Sequence, residues 1–208
     1  MSAFEPLPVR SRKLVCADGT TRVRLFVRCP VDDGWTSFEA CKRCKECALA
    51  SAPSPLASGA MDGVVVCTRN RPRLVGAPLE TAWQTSIAEA VDATLVCTEA
   101  GATSARVAEI LKADDVEVAV VVDAGENPIG IVSRRDAEYT EQGACARDVM
   151  TPFVITLMEN VSIADALTLV VSREIHHLPV LSGGRVMGVL SRRGIVAWFV
   201  RASRRRRR

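Results

Sequence analysis

Six of the chain's eight cysteines fall within the first 67 residues, and their spacing is that of a group able to hold a metal. Cys29, Cys41, Cys44 and Cys67 offer four thiolates: a Cys-x2-Cys pair on a turn, with one cysteine from a strand end on either side. Four sulfurs at about 2.3 Å in a tetrahedron suit Zn2+, and structural zinc contributes roughly 10–16 kcal/mol to the folding of small units. Two other readings of these residues stay open. Cys41-x2-Cys44-x2-Cys47 also has the spacing of the first three ligands of a ferredoxin-type iron–sulfur cluster, with Cys29 or Cys67 to complete it. The third reading is a set of reduced thiols on one turn with no metal. Cys16 and Cys47 are left over under the zinc reading. Cys97 and Cys145, isolated among apolar or small neighbours, read as packed thiols.

A second constellation occurs twice. Gly130-Ile-Val-Ser133-Arg134-Arg135-Asp136 and Gly188-Val-Leu-Ser191-Arg192-Arg193-Gly194 each follow an apolar, strand-like run, Val118 to Val122 or Leu178 to Leu181. The period, 58 residues from Ser133 to Ser191, is too long for a helical solenoid and suits two copies of a βαββα unit that pack together. Ser133 with Asp136 three residues on is a capping box, worth about 1 kcal/mol to the helix it opens. Ser191 keeps the hydroxyl, and Gly194 lacks the acid. The paired arginines stand in each first helical turn, where a cation opposes the helix dipole by about 0.3–1 kcal/mol. A locally unfavourable choice made in both copies points to an anion nearby; the alternative is a pair of solvated surface arginines. His176 and His177 are the only histidines. Adjacent residues on a strand face opposite sides, so at most one of them faces a cleft.

The order and spacing of Arg147-Asp-Val-Met150-Thr151-Pro152, Val154-Ile155-Thr156, Ile175-His176-His177-Leu178-Pro179-Val180 and Gly188-Val189-Leu190-Ser191 closely resemble a CBS domain. The segment from about residue 83 to residue 143 resembles the family more loosely. It keeps Gly-Ile-Val-Ser-x-x-Asp but has Cys97 where Thr156 sits and Glu117-Val118 where His176-His177 sit. Together the pair is similar to a Bateman module, which implies a non-catalytic sensor of an adenosine-containing ligand such as AMP or ATP. The resemblance implies that Ser133 and Asp136 hold the ribose hydroxyls, that Ser191 matches the hydroxyl position alone, and that the histidines face phosphates. The ligand-binding residues expected are Ser133, Asp136, Thr156, His176, His177 and Ser191, with Arg134 and Arg192 toward the anionic part. A carboxylate at Glu117 would repel phosphate, so one good nucleotide site per pair, or fewer, is expected. The resemblance covers residues 83 to 203 and says nothing of the first 80.

The elements that must position these groups can be read from periodicity. Ile163, Ala166, Leu167, Val170 and Val171 share a helix face after Ser162, and Val107, Ile110 and Leu111 do so after Ser104. Ile195 to Val200 is apolar nearly all round, which predicts burial between copies or in a homodimer. Arg12 to Cys16 and Val23 to Cys29 read as a hairpin across Asp18-Gly19, and Gly63 to Arg69 as a short strand returning Cys67 to the other cysteines. The uncharged stretch Ala48 to Ala60 and the run from Asn70 to Pro78 are loop-like. The fold class expected is α+β: tandem βαββα CBS repeats forming one Bateman module over 81–145 and 146–203. A β-rich Cys-cluster unit over 1–80 precedes them, and a disordered Arg tail over 204–208 follows.

Composition is that of a folded chain: 208 residues, 48% apolar and 25% charged. The net charge of +3 hides a segregation, with 12 Lys and Arg against 8 Asp and Glu in residues 1–80, 10 against 16 in residues 81–203, and five arginines at the end. The chain has no apolar run near the ~20 residues of a membrane span, and its first residues carry an acid and an early proline, so a cytoplasmic protein with reduced cysteines is expected. No Walker-type lysine loop, Gly-x-Ser-x-Gly elbow or His-x-x-x-His pair occurs, so the chain is not expected to be an enzyme. The leading function is thus a regulatory adenosine-ligand module coupled to a structural zinc unit. The alternatives are a nucleic-acid-binding regulator using the basic Cys-rich unit and the Arg tail for weak polyanion contact, and a ligand-free dimerisation module.

Overall fold

The structure is a computed structural model that describes residues 6–30, 32, 34–45, 47–50, 64–67, 83–92, 94–152 and 155–205. The N-terminal part contains β1 (Pro6–Pro8), β2 (Arg10–Val15), β3 (Thr21–Arg28), β4 (Trp35–Ser37), α1 (Phe38–Lys42), β5 (Cys47–Ala50) and β6 (Val64–Cys67). β2 and β3 form the expected hairpin, Arg10 opposite Phe26 through Val15 opposite Thr21. Its turn is fixed by Gly19 at φ +80° and by Asp18, whose carboxylate accepts from the Thr20 N–H and hydroxyl at 2.9 and 2.6 Å. A small sheet of order β1-β6-β5 lies beside it. Of the stretch 48–60 expected as a linker, residues 48–50 belong instead to β5, and 51–60, like 70–78, lie outside the described residues.

The first copy follows as β7 (Thr94–Glu99), α2 (Ser104–Ala113), β8 (Val118–Val122), β9 (Pro128–Ser133) and α3 (Arg134–Glu138). The second contains α4 (Ala146–Val149), β10 (Thr151–Pro152), β11 (Leu157–Met158), α5 (Ile163–Ser172), β12 (His177–Ser182), β13 (Arg185–Ser191) and α6 (Arg192–Arg205). α5 begins at the expected cap, with Ser162 Oγ accepting from the Asp165 N–H at 3.1 Å. α2 is capped one residue earlier than expected, by Thr103.

The first copy's sheet does not stop at residue 80. β2 pairs in parallel with β7, Ser11 opposite Thr94 through Val15 opposite Thr98, giving one seven-stranded sheet of order β10-β9-β8-β7-β2-β3-β4. An open β7 edge would leave a row of unpaired backbone groups, and the hairpin supplies their partners. β8 shows how the layers stack. All five of its residues are buried; Ala119 and Val121 pack with α2 residues Val107 and Leu111, while Val118, Val120 and Val122 pack with Val186 and Val189 of β13. The two copies therefore meet sheet to sheet.

Each copy also lends a segment to the other. Trp83 and Ile87 to Val91 sit with Ile163, Ala166, Leu178 and Trp198 in the second copy's core, held by Ile87 N–H to Val161 and Ile163 N–H to Thr85, both 2.9 Å. In return Ala146, Val149 and Met150 pack into the first copy's core.

Within the chain α6 is buried on one face only, which leaves the homodimer alternative to cover the other. Ile195 and Trp198 are inside the second copy's core, where Trp198 meets Trp83 at 5.6 Å, but Val196, Phe199 and Val200 are 62%, 39% and 41% exposed. That core accepts one face of the helix. The tail also differs: α6 continues through Arg204 and Arg205, so disorder does not begin at residue 204, and 206–208 lie outside the described residues. Arginines suit a helix's last turn, whose carbonyls carry partial negative charge.

Candidate ligand cleft

Between the two copies lies a cavity of about 360 Å3 lined by Asp92, Thr94, Val96, Asp114 to Val118, His177, Val189, Ser191 and Arg193. Thr94 and Val96 come from β7, His177 opens β12, and Ser191 ends β13. Ser191 is buried; its Oγ accepts from the Gly194 N–H at 2.9 Å and donates toward the Asp92 carboxylate at 3.4 Å. Asp92 is anchored by its own N–H to the Val189 carbonyl at 3.0 Å. Burial pushes its carboxyl upward, against the pull of Ser191, His177, Arg10 and Arg193.

Gly194 is required by this arrangement. A Cβ there would meet the Ala90 carbonyl oxygen at 2.5 Å and the Asp92 carboxylate at 3.1 Å. The acid absent from position 194 is thus replaced in space by one from 102 residues earlier in the chain. Sequence comparison of the two copies locates the gap but not its filler, because Asp92 lies before the first copy's first strand.

The opposite wall carries a run of charge. His177 Nε2 lies 2.8 Å from the Glu117 carboxylate, so Glu117 is paired across the copies. Asp115, in the left-handed region at φ +52°, lies 3.6 Å from Arg134 of its own copy and 3.7 Å from Arg193 of the other. Asp114 pairs with Lys13 of β2, which fixes the rim of the cleft to the N-terminal hairpin.

The other residues expected at the ligand fall elsewhere. Ser133 and Asp136 form the full capping box of α3: the Asp136 carboxylate accepts from the Ser133 hydroxyl at 2.6 Å and its N–H at 3.2 Å. Arg134 donates to the carbonyls of Val116 at 3.0 Å and Leu111 at 3.5 Å, at the C-terminal end of α2. Its cost to its own helix is offset there, which explains one of the paired arginines without an external anion. His176 is exposed, with Nδ1 2.9 Å from the Glu174 carbonyl; Arg192 is exposed, and Thr156 is half-buried. Of the eight residues expected at the ligand, the cleft brings together His177 and Ser191, and adds Asp92, Asp115 and Arg193.

The cysteines read as metal ligands are neighbours. The Cys44 N–H donates to the Cys41 carbonyl and the Cys47 N–H to that of Cys44, both at 3.0 Å, while Cys47 lies opposite Cys67 in the β5–β6 ladder. The Cys41 thiol is pushed up to about 11 by burial and by Cys47, Cys29, Cys44 and Cys67 around it. Cys41 and Cys47 pack against the core of Val9, Val27 and Phe38. Among the described residues, however, no three His, Cys, Asp or Glu side chains converge so as to hold a metal ion, and the cysteines are free thiols. The Cys29, Cys41, Cys44 and Cys67 set is therefore gathered without the geometry of a formed zinc centre. Cys16 is buried at the end of β2, and Cys97 is buried at the sheet-to-sheet interface.

Residues 146–201 match the profile of the CBS domain. Over 69 residues the chain is 36% identical to inosine-5'-monophosphate dehydrogenase of Thermoplasma acidophilum, and over 102 residues it is 28% identical to an uncharacterized protein of Methanopyrus kandleri. These stretches are 33% and 45% of this chain but 14% and 52% of those relatives, so the chain spans at most about half their length. Among solved structures, the CBS domain of a CBS domain containing membrane protein from Sphaerobacter thermophilus superposes with a TM-score of 0.52 at 20% identity, covering 57% of this chain and 90% of that one. A CBS domain pair solved in complex with 5'-methylthioadenosine and S-adenosyl-L-methionine gives 0.51 at 19% identity, covering 56% and 96%. A third structure, solved in complex with AMP, gives 0.50 at 18% identity, covering 56% and 97%. Among the described residues no helix is long and apolar enough to cross a membrane. Residues 146–201 form a CBS domain, and the two copies together have the fold of a CBS domain pair.

Proposed function

We propose that the chain is a non-catalytic regulatory protein that binds an adenosine-containing ligand in the cleft between its copies. The observation that carries this reading is the Ser191 hydroxyl and the Asp92 carboxylate, 3.4 Å apart at the wall of a 360 Å3 cavity. A carboxylate beside a hydroxyl accepts from the vicinal hydroxyls of a ribose, and the cavity falls in the ~300–1,000 Å3 range of small-molecule sites. Val96, Val116, Val118 and Val189 offer an apolar wall for a purine, and Arg193 and His177 face its anionic end. Two proteins of the same fold were solved with adenosine derivatives, which supports this ligand class. Ser133 and Asp136 are the second ribose candidate, and Thr156, His176 and Arg192 stay candidates from the resemblance alone.

Titration calorimetry with AMP, ATP and S-adenosylmethionine tests the reading. Ser191→Ala is expected to weaken whichever nucleotide binds by about tenfold, the loss of one hydrogen bond to a polar group. Flat titrations with all three would leave the ligand-free dimerisation module, for which the exposed Val196, Phe199 and Val200 are the interface. Structural zinc is a separate reading, supported by the gathering of four other thiols around Cys41. Elemental analysis of the purified protein is expected to find about one zinc per chain; metal-free folded protein would remove it.

A further inference from the structure

The hairpin β2–β3 and strand β4 extend the first copy's sheet beyond the second copy, and the overhang encloses a larger cavity of about 710 Å3. One wall is the inner face of that extension, with Arg10, Arg12, Arg24, Phe26 and Trp35; the other is the β12–β13 hairpin, with Gly183, Arg185 and Met187. This space is made by strands that precede the first copy, and it shares with the cleft described above only Asp92.

Its charges are unbalanced at one end. Arg12, Arg24 and Arg185 converge on a single carboxylate, Glu126, at 3.1, 3.6 and 3.8 Å. Three guanidinium groups around one acid leave an excess of two positive charges. Arg12 bears most of this cost: its side chain is 9% accessible, and among the described residues its Nε and Nη2 have no oxygen or nitrogen partner. The buried Cys97 thiol, a weak acceptor, interacts with it. A buried guanidinium with unused donors is costly unless an acceptor arrives from outside. At the aromatic end the buried Trp35 indole N–H has no hydrogen-bond partner among the described residues, and Arg10 lies 5.0 Å over the Trp35 ring. Arg10 itself is engaged, donating to the carbonyls of Val91 and Ala88. Glu39 also lines the cavity, and its carboxylate is paired with Lys42.

We propose that this cavity is a second ligand site, for a small organic phosphate carrying a flat ring. The phosphate dianion meets Arg12, Arg24 and Arg185, whose planar forks match its oxygens. The ring lies against Phe26 and Trp35, which line the cavity's aromatic end.

Calorimetry on the full chain with phenyl phosphate, inorganic pyrophosphate and AMP tests the site. Phenyl phosphate is expected to bind, and the double variant Arg24→Gln/Arg185→Gln to weaken it by at least about tenfold, the loss of two charge-assisted contacts. Both side chains are more than half exposed, so the variant keeps its fold. Ser191→Ala, in the cleft, is expected to leave phenyl phosphate affinity unchanged. Pyrophosphate binding as tightly as phenyl phosphate would overturn the role given to the ring. No binding at millimolar phenyl phosphate, or binding that survives the arginine changes and is lost in Ser191→Ala, would overturn the site itself. AMP affinity lost in Ser191→Ala but kept in the arginine variant would show the cleft working independently of this cavity.

Discussion

The two copies end their third core strand with the same Ser-Arg-Arg, yet they supply the neighbouring acid in opposite ways. In the first copy it is local: Asp136, one turn along α3, closes a capping box on Ser133 and stays exposed. In the second it is remote: Asp92 arrives from the connector before β7 and reaches Ser191 inside a cleft. A carboxylate engaged in capping its own helix is solvated and satisfied. One carried in from elsewhere is half-buried, and its carboxyl is pushed upward by that burial. A motif missing one residue can thus be completed by the fold, with the acid brought from a distant segment into a cleft.

The sharpest way to break this difference is to put a side chain where the local acid is missing. A side chain at Gly194 meets the Ala90 carbonyl at 2.5 Å, whereas one at Gly130 meets the movable Met150 side chain. Gly194→Ala is expected to cost about 1–3 kcal/mol in chemical denaturation, and Gly130→Ala distinctly less. Equal costs would mean that the Ala90 backbone yields as readily as a methionine. Next come the acids themselves. Asp92→Asn is expected to weaken nucleotide binding by about tenfold in calorimetry, and Asp136→Ala to leave it nearly unchanged while costing α3 about 1 kcal/mol of capping. The reverse outcome would move the ribose to the first copy. The smallest effect is in pH. With its carboxyl raised by burial, Asp92 binds a proton more readily in the folded state, so folding stability falls as pH rises through that raised value. Thermal melts are expected to show Asp92→Asn gaining on the unmodified chain as pH rises above the ordinary carboxylate range, with no gap below it.

The core elements were legible because each carries a local signature. Val118 to Val122 is β-branched and buried on both faces, Ser162 caps α5, and Asp18-Gly19 turns the hairpin. What stayed hidden depends on contacts between distant segments. No periodicity announces that β2 joins β7, or that Asp92 fills the space beside Gly194. Arg134 opposes its own helix and serves another, which no single-helix argument finds. The Ile195 to Val200 segment is apolar nearly all round, but hydrophobicity does not say which face the chain itself covers and which a second copy would. Trp198 belongs to the second copy's core, so a charge there would disrupt folding, and Val196 or Phe199 is the position at which to test a dimer.

The exchange of segments between the copies has a consequence for how the molecule comes apart. Trp83 to Val91 completes the second copy's interior, and Ala146 to Met150 completes the first. Neither half can therefore melt alone without opening the other. Thermal unfolding should proceed as a single cooperative transition across both copies, and a ligand held in the cleft raises its midpoint for the whole pair by mass action. A chain severed near residue 145 would yield two fragments that are each incomplete, and that regain order only on meeting one another.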